Sequence, residues 1–259
     1  MYGLQIAFKD FIAMEGIWGS PWVGFEHFIR FFESYQFWNL LKNSLLINLY
    51  QLIFAFPIPI ILALMINQVT HRRFKKLVQT VTYAPHFISV VVLVGMIFIF
   101  LSPSTGFLNN IIQFFGGEPI YFMGSESWFK TVFVSSEIWQ TAGFSAIVFL
   151  AALTAIDPEL HEAAIVDGAS KLQRVLHIDI PGIMPVIMIM LILEIGSFVT
   201  LGYQKVLLMQ NDLNIASSEV IQTYVYKSGL LNSQFSYAAA IGLLENVINF
   251  ILQIGRAHV

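Results

Sequence analysis

The stretch NSLLINLYQLIFAFPIPIILALMI, residues 43–66, decides the fold class of this sequence. It contains no charged side chain, and a helix needs about 20 mainly apolar residues to cross a bilayer. Pro57 and Pro59 lie inside it, so a kink is expected there. The stretch therefore predicts a transmembrane helix.

Similar apolar segments continue along the chain. We predict four more spans, the last one incomplete, at residues 77–101, 129–156, 183–203 and 237–252. Of the 259 residues, 57% are apolar and only 11% are charged, whereas about a quarter of an ordinary soluble domain is charged. This composition excludes a soluble globular enzyme, a disordered chain and a nucleic-acid-binding protein. The segments are continuously apolar rather than alternating, which excludes a barrel and predicts an all-α polytopic transmembrane bundle.

Cysteine is absent from the sequence. Disulfides, thiolate nucleophiles and cysteine-ligated metals are therefore excluded. No H-E-x-x-H or comparable ligand cluster occurs, so we expect no metal site.

Both ends suggest a chain truncated at each side. Met1 has the setting of an internal methionine, and residues 254–259 resemble a non-native, adapter-derived tail.

Basic residues predict the orientation of the connections. Residues 71–76 hold four Lys or Arg, and residues 157–182 hold Lys171 and Arg174, whereas residues 102–128 hold none. By the positive-inside rule the first two segments are cytoplasmic. Residues 204–236 and the aromatic-rich residues 1–42 are then external, and 1–42 follow a missing first span. Residues 1–42 fit an interfacial segment or a stacking platform for a sugar or a binding protein.

The cytoplasmic segment 157–185 has strong local signals. Asp157 is a favourable N-cap before Pro158, and Gly168 fits the left-handed position that ends a helix running to Asp167. Ser170 with Gln173 forms a capping box that opens a second short helix, which Pro181 and Pro185 should end before the next span. The spacing alone fits an ordinary capped loop as well as a docking element.

The motifs of this segment carry a family resemblance. Glu162-Ala163-Ala164, Asp167-Gly168-Ala169 and Ile178-x-Ile180-Pro181-x-x-x-Pro185 resemble the EAA loop of binding-protein-dependent ABC importer permeases, departing only in Ile180, where Leu is usual. Further segments are similar to sugar-importer permeases of the LplB type, which take up polysaccharides or oligosaccharides: residues 1–8, 83–89, 205–210 and 235–242. The resemblance covers residues 1–253.

The resemblance implies a type I ABC importer permease in a bacterial plasma membrane, with residues 43–253 as its permease domain. It implies that the loop couples to a cytoplasmic ATPase subunit through Glu162, Ala163, Ala164, Asp167, Gly168, Ile178 and Pro181. The chain lacks G-x-x-x-x-G-K-[ST], so ATP is expected on the partner and no cofactor or catalysis on this chain. A second homologous permease and an extracytoplasmic solute-binding protein are the other implied partners, and the implied solute is a carbohydrate.

Polar residues inside the predicted spans are candidates for a solute path. Glu137, Trp139 and Gln140 combine hydrogen-bonding groups with a flat apolar face that suits a sugar, and Glu194 lies in another span. Such residues also join helices to one another. A permease for a non-sugar solute remains open, as does an ion-coupled carrier, which would leave segment 157–185 unexplained.

Overall fold

The computed structural model describes residues 2–196 and 202–254, and these are almost wholly helical. Within these ranges, extended pairing is limited to one antiparallel bridge between Lys9 and Trp22. The α-helices are, in chain order, α1 (Gly16–Gly19), α2 (Glu26–Glu33), α3 (Phe37–Tyr50), α4 (Pro57–Asn67), α5 (Arg72–Tyr83), α6 (Val90–Phe100), α7 (Phe107–Phe114), α8 (Glu126–Thr154), α9 (Pro158–Val166), α10 (Lys171–Arg174), α11 (Ile180–Gly196), α12 (Tyr203–Met209), α13 (Ile215–Ser218), α14 (Ile221–Tyr226) and α15 (Phe235–Ile254). This confirms the all-α prediction. Of the predicted tail 254–259, all but Ile254 lies outside the described residues.

Three continuous helices among the described residues are long and apolar enough to cross a membrane. They are Phe37–Asn67, Glu126–Thr154 and Lys171–Gly196, and they contain the predicted spans at 43–66, 129–156 and 183–203, apart from a few residues at their ends. Residues 197–201 of the predicted span 183–203 lie outside the described part of the chain. The predicted fifth span is a shorter apolar helix, Phe235–Ile251.

The second predicted span, residues 77–101, contains a break after Pro85 instead of forming one continuous helix. Arg72–Phe87 and Val90–Phe100 are two helices bent by 103° at the intervening break. Pro85 is the second residue of a 3-10 turn, Ala84–Phe87, and Ile88 after it is extended, with φ −75° and ψ 129°. Proline cannot donate to the preceding turn, so the helix loses a hydrogen bond where the chain changes direction.

The prediction that Pro181 and Pro185 end a short helix is wrong. Residues 171–196 form one continuous helix, and a π-turn, Val175–Asp179, lies just before Pro181. A π-turn, Gln51–Ala55, stands at the same distance before Pro57 in the helix Phe37–Asn67. A π-turn widens the helix and shifts its hydrogen bonds. The ring and the missing N–H of Pro57 and of Pro181 are therefore accommodated without ending the helix.

The helices divide into two compact units. The first comprises the described parts of Met1–Leu49, Val90–Val132 and Ile195–Val259. Its core joins α2 and α3 to α14 and α15 through five buried side chains: Phe31, Leu40, Ile221, Tyr237 and Ile241. Residues 1–42 are thus folded against the last helices of the chain rather than standing apart.

The second unit comprises Tyr50–Ser89 and Phe133–Glu194. Its core joins α4, α8 and α11, and includes Ala63, Ile66, Phe149, Leu153 and Ile183. At the crossing of α5 and α8, a Cβ on Gly143 would overlap the carbonyl oxygen of Thr82. Glycine is therefore required at this close approach of two backbones. The segment 157–182 follows α8 in this unit.

Candidate functional site

Helix α9 is the first part of the candidate site, and its start follows the sequence prediction. Asp157 is the N-cap, and its carboxylate accepts a hydrogen bond from the backbone N–H of Glu159 at 3.0 Å. No residue of α9 is buried. Leu160, Ile165 and Val166 are exposed by 54%, 56% and 87%. An exposed apolar helix outside the long apolar helices is typical of a protein-binding surface.

The end of α9 is a Schellman motif. Gly168 has φ +80°, a conformation that favours glycine. The N–H of Ala169 donates to the carbonyl of Ala164 at 2.8 Å, and the N–H of Gly168 to that of Ile165 at 3.0 Å. This pair of bonds satisfies carbonyls that the helix end leaves free. The predicted glycine turn is confirmed, with Asp167 as the C-cap.

The chain re-enters a helix directly after this turn. The Ser170 hydroxyl accepts from the N–H of Gln173 at 3.3 Å, and the Gln173 side chain accepts from the N–H of Ser170 at 2.7 Å. The predicted capping box is therefore present. The helix that it opens leads without interruption into α11, so the loop consists of one short helix, one turn and the start of a long helix.

A buried polar contact, which the sequence did not predict, ties α9 to this unit. Asp179 has no exposed side-chain surface, and its carboxylate lies 3.2 Å from Nε2 of His161 in α9. Its other oxygen accepts from Nε2 of Gln68, which caps α4, at 3.0 Å. We call these three residues the Asp179 latch. An acidic residue between the apolar Ile178 and Ile180 is the sequence signal that could have drawn attention to it.

The structure brings the predicted coupling residues into one continuous stretch. Glu162, Ala163, Asp167 and Gly168 are exposed, and Ala164 is half-buried on the same helix and turn. Among the described residues, no hydrogen bond or ion pair engages the Glu162 carboxylate, so its acidic group is available to a partner. The other two predicted residues follow in the next helix, as half-buried Ile178 and exposed Pro181.

The candidate solute-path residues take different positions in the second unit. Glu137 lies in α8 and Glu194 in α11. The Gln140 amide donates to the carbonyl of Ile88 at 3.0 Å, at the break between the helices of the bent pair. Trp139, next to it in sequence, is 49% exposed. Gln140 thus has the helix-joining role at this point, and the solute-path role of all four residues stays a prediction.

Comparison with known proteins matches the chain over most of its length. The family model described as "binding-protein-dependent transport system inner membrane component" matches residues 45–259. A polygalacturonan/rhamnogalacturonan transport system permease protein, YteP, of Bacillus subtilis (strain 168) is 46% identical over 97% of this chain and 78% of its own length. The protein LplB of the same organism is 42% identical over 100% of this chain and 81% of its own length.

Solved structures agree with the sequence comparison. A chain of a bacterial ABC transporter involved in the import of the acidic polysaccharide alginate has a TM-score of 0.93 and 40% identity, covering 100% of this chain and 87% of that one. A second structure shows the bacterial alginate ABC transporter in complex with an alginate pentasaccharide-bound periplasmic protein, with a TM-score of 0.91 and 39% identity. It covers 99% of this chain and 85% of that chain.

Proposed function

The chain belongs to the family of binding-protein-dependent transport system inner membrane components, and we propose that it is the permease subunit of an ATP-driven importer of an oligo- or polysaccharide. The family consists of membrane-embedded permeases, which are not themselves catalysts. Its residence in a bacterial inner membrane agrees with the long apolar helices of the chain.

The carbohydrate class is supported by the relatives. One permease at 46% identity transports polygalacturonan or rhamnogalacturonan, and a transporter at 40% identity imports alginate. In the alginate system a periplasmic protein presents the saccharide. We infer the same division of labour here, with an external solute-binding protein as one partner and a second, homologous permease as another.

The exposed helix α9 is the observation that carries the coupling part of the proposal. Its exposed apolar side chains, Leu160, Ile165 and Val166, would contact a cytoplasmic ATPase subunit, and Glu162 would meet a basic residue there. The small side chains of Ala163 and Ala164 allow a close approach of the partner. ATP is bound and hydrolysed by that subunit, since the phosphate-binding motif is absent from this sequence.

Rigidity of this segment explains how it would transmit force. The Schellman motif and the capping box fix the backbone on both sides of Gly168. The Asp179 latch connects α9 to the helix 171–196 and to α4. A displacement of α9 by the ATPase would therefore move two long helices as bodies, which suits switching between discrete inward- and outward-facing packings.

Site-directed cross-linking tests the coupling assignment. The 259 residues contain no cysteine, so Ala163→Cys introduces a unique thiol into them. In the complete transporter we expect this thiol to form a cross-link to the ATPase subunit whose yield changes on ATP binding.

The matched control is Ser127→Cys. Ser127 is also exposed but lies in the predicted external segment 102–128, so it should give no cross-link to the ATPase. Labelling of residue 163 from outside the cell, or a complex that takes up saccharide without any ATPase subunit, would rule out the proposal.

A further inference from the structure

A polar cleft in the first unit has no part in the coupling mechanism. Its volume is about 490 Å³, which falls in the range of small-molecule sites. Residues 30–36 and the segment 219–237 line it, and the lining includes Arg30, Tyr35, Glu219, Lys227, Gln234 and Tyr237. We call it the Arg30 cleft. Apart from Tyr237, the first residue of the predicted fifth span, its lining residues belong to the segments predicted as external.

The charges of the Arg30 cleft do not cancel. Lys227 and Glu219 form an ion pair at 2.7 Å and neutralise each other. The Arg30 guanidinium lies 4.3 Å from the ring centre of Tyr237 and donates to Oε1 of Gln234 at 2.9 Å. Among the described residues, no carboxylate lies within ion-pair distance of Arg30. The lining of the cleft therefore carries one net positive charge, on a guanidinium that lies against the tyrosine ring, while Glu26 and Glu33 of the same helix line the adjoining pocket with Arg30.

The backbone around the cleft takes two uncommon conformations. Lys227–Leu231 is a π-turn that carries Lys227 and Ser228 into the lining. Ser233 has φ +55°, and the next residue, Gln234, donates its N–H to the carbonyl of Ser228 at 2.9 Å. π-turns and left-handed non-glycine residues cost free energy and are concentrated at functional sites. Here they set the positions of Lys227 and Gln234 relative to Arg30.

The rim of the cleft offers an aromatic face. Tyr35 is 90% exposed, while Tyr237, whose ring supports Arg30, is 3% exposed. An exposed tyrosine beside amide and hydroxyl groups suits a pyranose ring, which has an apolar C–H face and hydroxyls at its edge. The planar guanidinium matches a carboxylate in a two-point contact.

We propose that the Arg30 cleft binds a uronic acid unit of the transported saccharide, with the carboxylate on Arg30 and the sugar ring against Tyr35. This inference rests on the proposed function and assigns the substrate class as acidic. Gln234 and Lys227 would contact the ring hydroxyls. The cleft would then select acidic over neutral saccharides before translocation.

Saccharide binding to the complete transporter in nanodiscs, without its solute-binding protein, tests this assignment. The probes are trigalacturonic acid and an alginate trisaccharide, with galactotriose as the neutral comparison. Arg30→Gln should weaken binding of at least one acidic probe by roughly tenfold or more, the loss expected for one charge-assisted contact, and leave galactotriose unchanged. Tyr35→Ala should weaken acidic and neutral probes alike.

Matched variants separate binding from folding. Arg30→Lys keeps the charge but loses the two-point geometry, so it should retain part of the acidic preference. Arg73→Gln, in the predicted cytoplasmic segment 71–76, should change nothing. Thermal unfolding of each complex identifies a variant that fails through misfolding. If Arg30→Gln misfolds, the acidic preference of Arg30→Lys tests the inference in its place.

Three results would overturn the inference. They are wild-type binding of neither acidic probe, equal loss of acidic and neutral binding in Arg30→Gln, or unchanged saccharide binding together with lost docking of the solute-binding protein. The last would make the cleft a protein contact. The proposed function fails separately, if the wild-type complex drives no saccharide, acidic or neutral, across the membrane on ATP.

Discussion

The segment 157–182 and the Arg30 cleft are stabilised in opposite ways. The segment is held mainly by bonds between near neighbours in sequence, such as Ala169 to Ala164 and Ser170 to Gln173. The cleft depends on bonds between distant parts of the chain, such as Arg30 to Gln234, which are 204 residues apart. Short-range sequence signals are therefore enough to form the segment 157–182, whereas the cleft forms only after the whole unit has folded.

Gly168→Pro is expected to have the largest effect, because it removes the glycine turn that ends α9. Proline requires φ near about −65°, and Gly168 has φ +80°. The Schellman turn cannot form, so we expect transport to be abolished while the protein still inserts in the membrane. Uptake into proteoliposomes, with insertion checked by protease protection, measures both.

Two further variants serve as comparisons for Gly168→Pro. Ala164→Trp, which leaves the glycine turn in place but blocks close docking, should also abolish transport. Gly95→Ala, at a glycine with open space around it, should have no effect. Normal solute-stimulated ATPase activity in the Gly168→Pro complex would contradict the coupling role.

Asn214→Ala tests how much the long-range hydrogen bonds stabilise the first unit. Asn214 is fully buried, and its amide donates to the carbonyls of Met123 at 2.9 Å and Met209 at 3.1 Å. Its loss leaves several buried groups without partners, and we expect a destabilisation of about 3 kcal/mol. Thermal unfolding of the detergent-solubilised complex measures this.

Asn246→Ala is the matched control for Asn214→Ala. Asn246 is exposed and donates only to Gly242, one helical turn away, at 2.8 Å. A change below about 0.5 kcal/mol is expected, as for most surface substitutions. Equal effects of the two variants would show that the long-range network does not stabilise the first unit.

Asp179→Ala removes a long-range contact of the segment 157–182, the hydrogen bond from Gln68 to Asp179. We expect a loss of about 2 kcal/mol, because His161 and Gln68 both lose a buried partner. More ATP should be hydrolysed per saccharide transported, since α9 loses its connection to α4.

Asp179→Asn sharpens this result, because it keeps an acceptor for Gln68 and should restore part of the coupling. Glu159→Gln is a surface acid control in α9. If the ratio of hydrolysis to transport stays at the wild-type value in Asp179→Ala, the latch has only a structural role.

Ser170→Ala should have the smallest effect of this set. It removes one capping bond and should cost about 1 kcal/mol, with transport reduced but not abolished. Ser104→Ala, at an exposed serine bonded to Ser102 at 3.4 Å, serves as the control, and thermal unfolding compares the two. A loss as severe as that of Gly168→Pro would mean that the cap, not the turn, fixes the segment.

Much of the fold and of the coupling segment could be predicted from the sequence because the responsible rules act over a few residues. The apolar runs gave the long helices, and Asp157, Gly168 and Ser170 gave the caps and the turn. The effect of proline was harder to predict. Pro181 does not end its helix, because a widened turn upstream accommodates it, whereas the chain bends by 103° after Pro85.

What the sequence could not supply are contacts between remote segments. Gln68 and Asp179 are 111 residues apart, and nothing in either neighbourhood indicates the other. The same holds for Gly143, whose small size is explained only by the Thr82 backbone that crosses it. Such contacts depend on how helices pack, which periodicity and capping do not determine.

The π-turn at Val175–Asp179 gives the helix 171–196 a surplus residue. An α-helix advances about 100° per residue, so deleting one residue there would restore regular winding and rotate everything beyond it by about that angle. The side of α11 that packs in the core, which carries Ile183, would then turn away from it, while every side chain outside the turn stayed the same. The direction in which α11 faces its core, relative to the segment 157–182, thus depends on the number of residues in the π-turn. A single-codon deletion there would change this direction more than most substitutions.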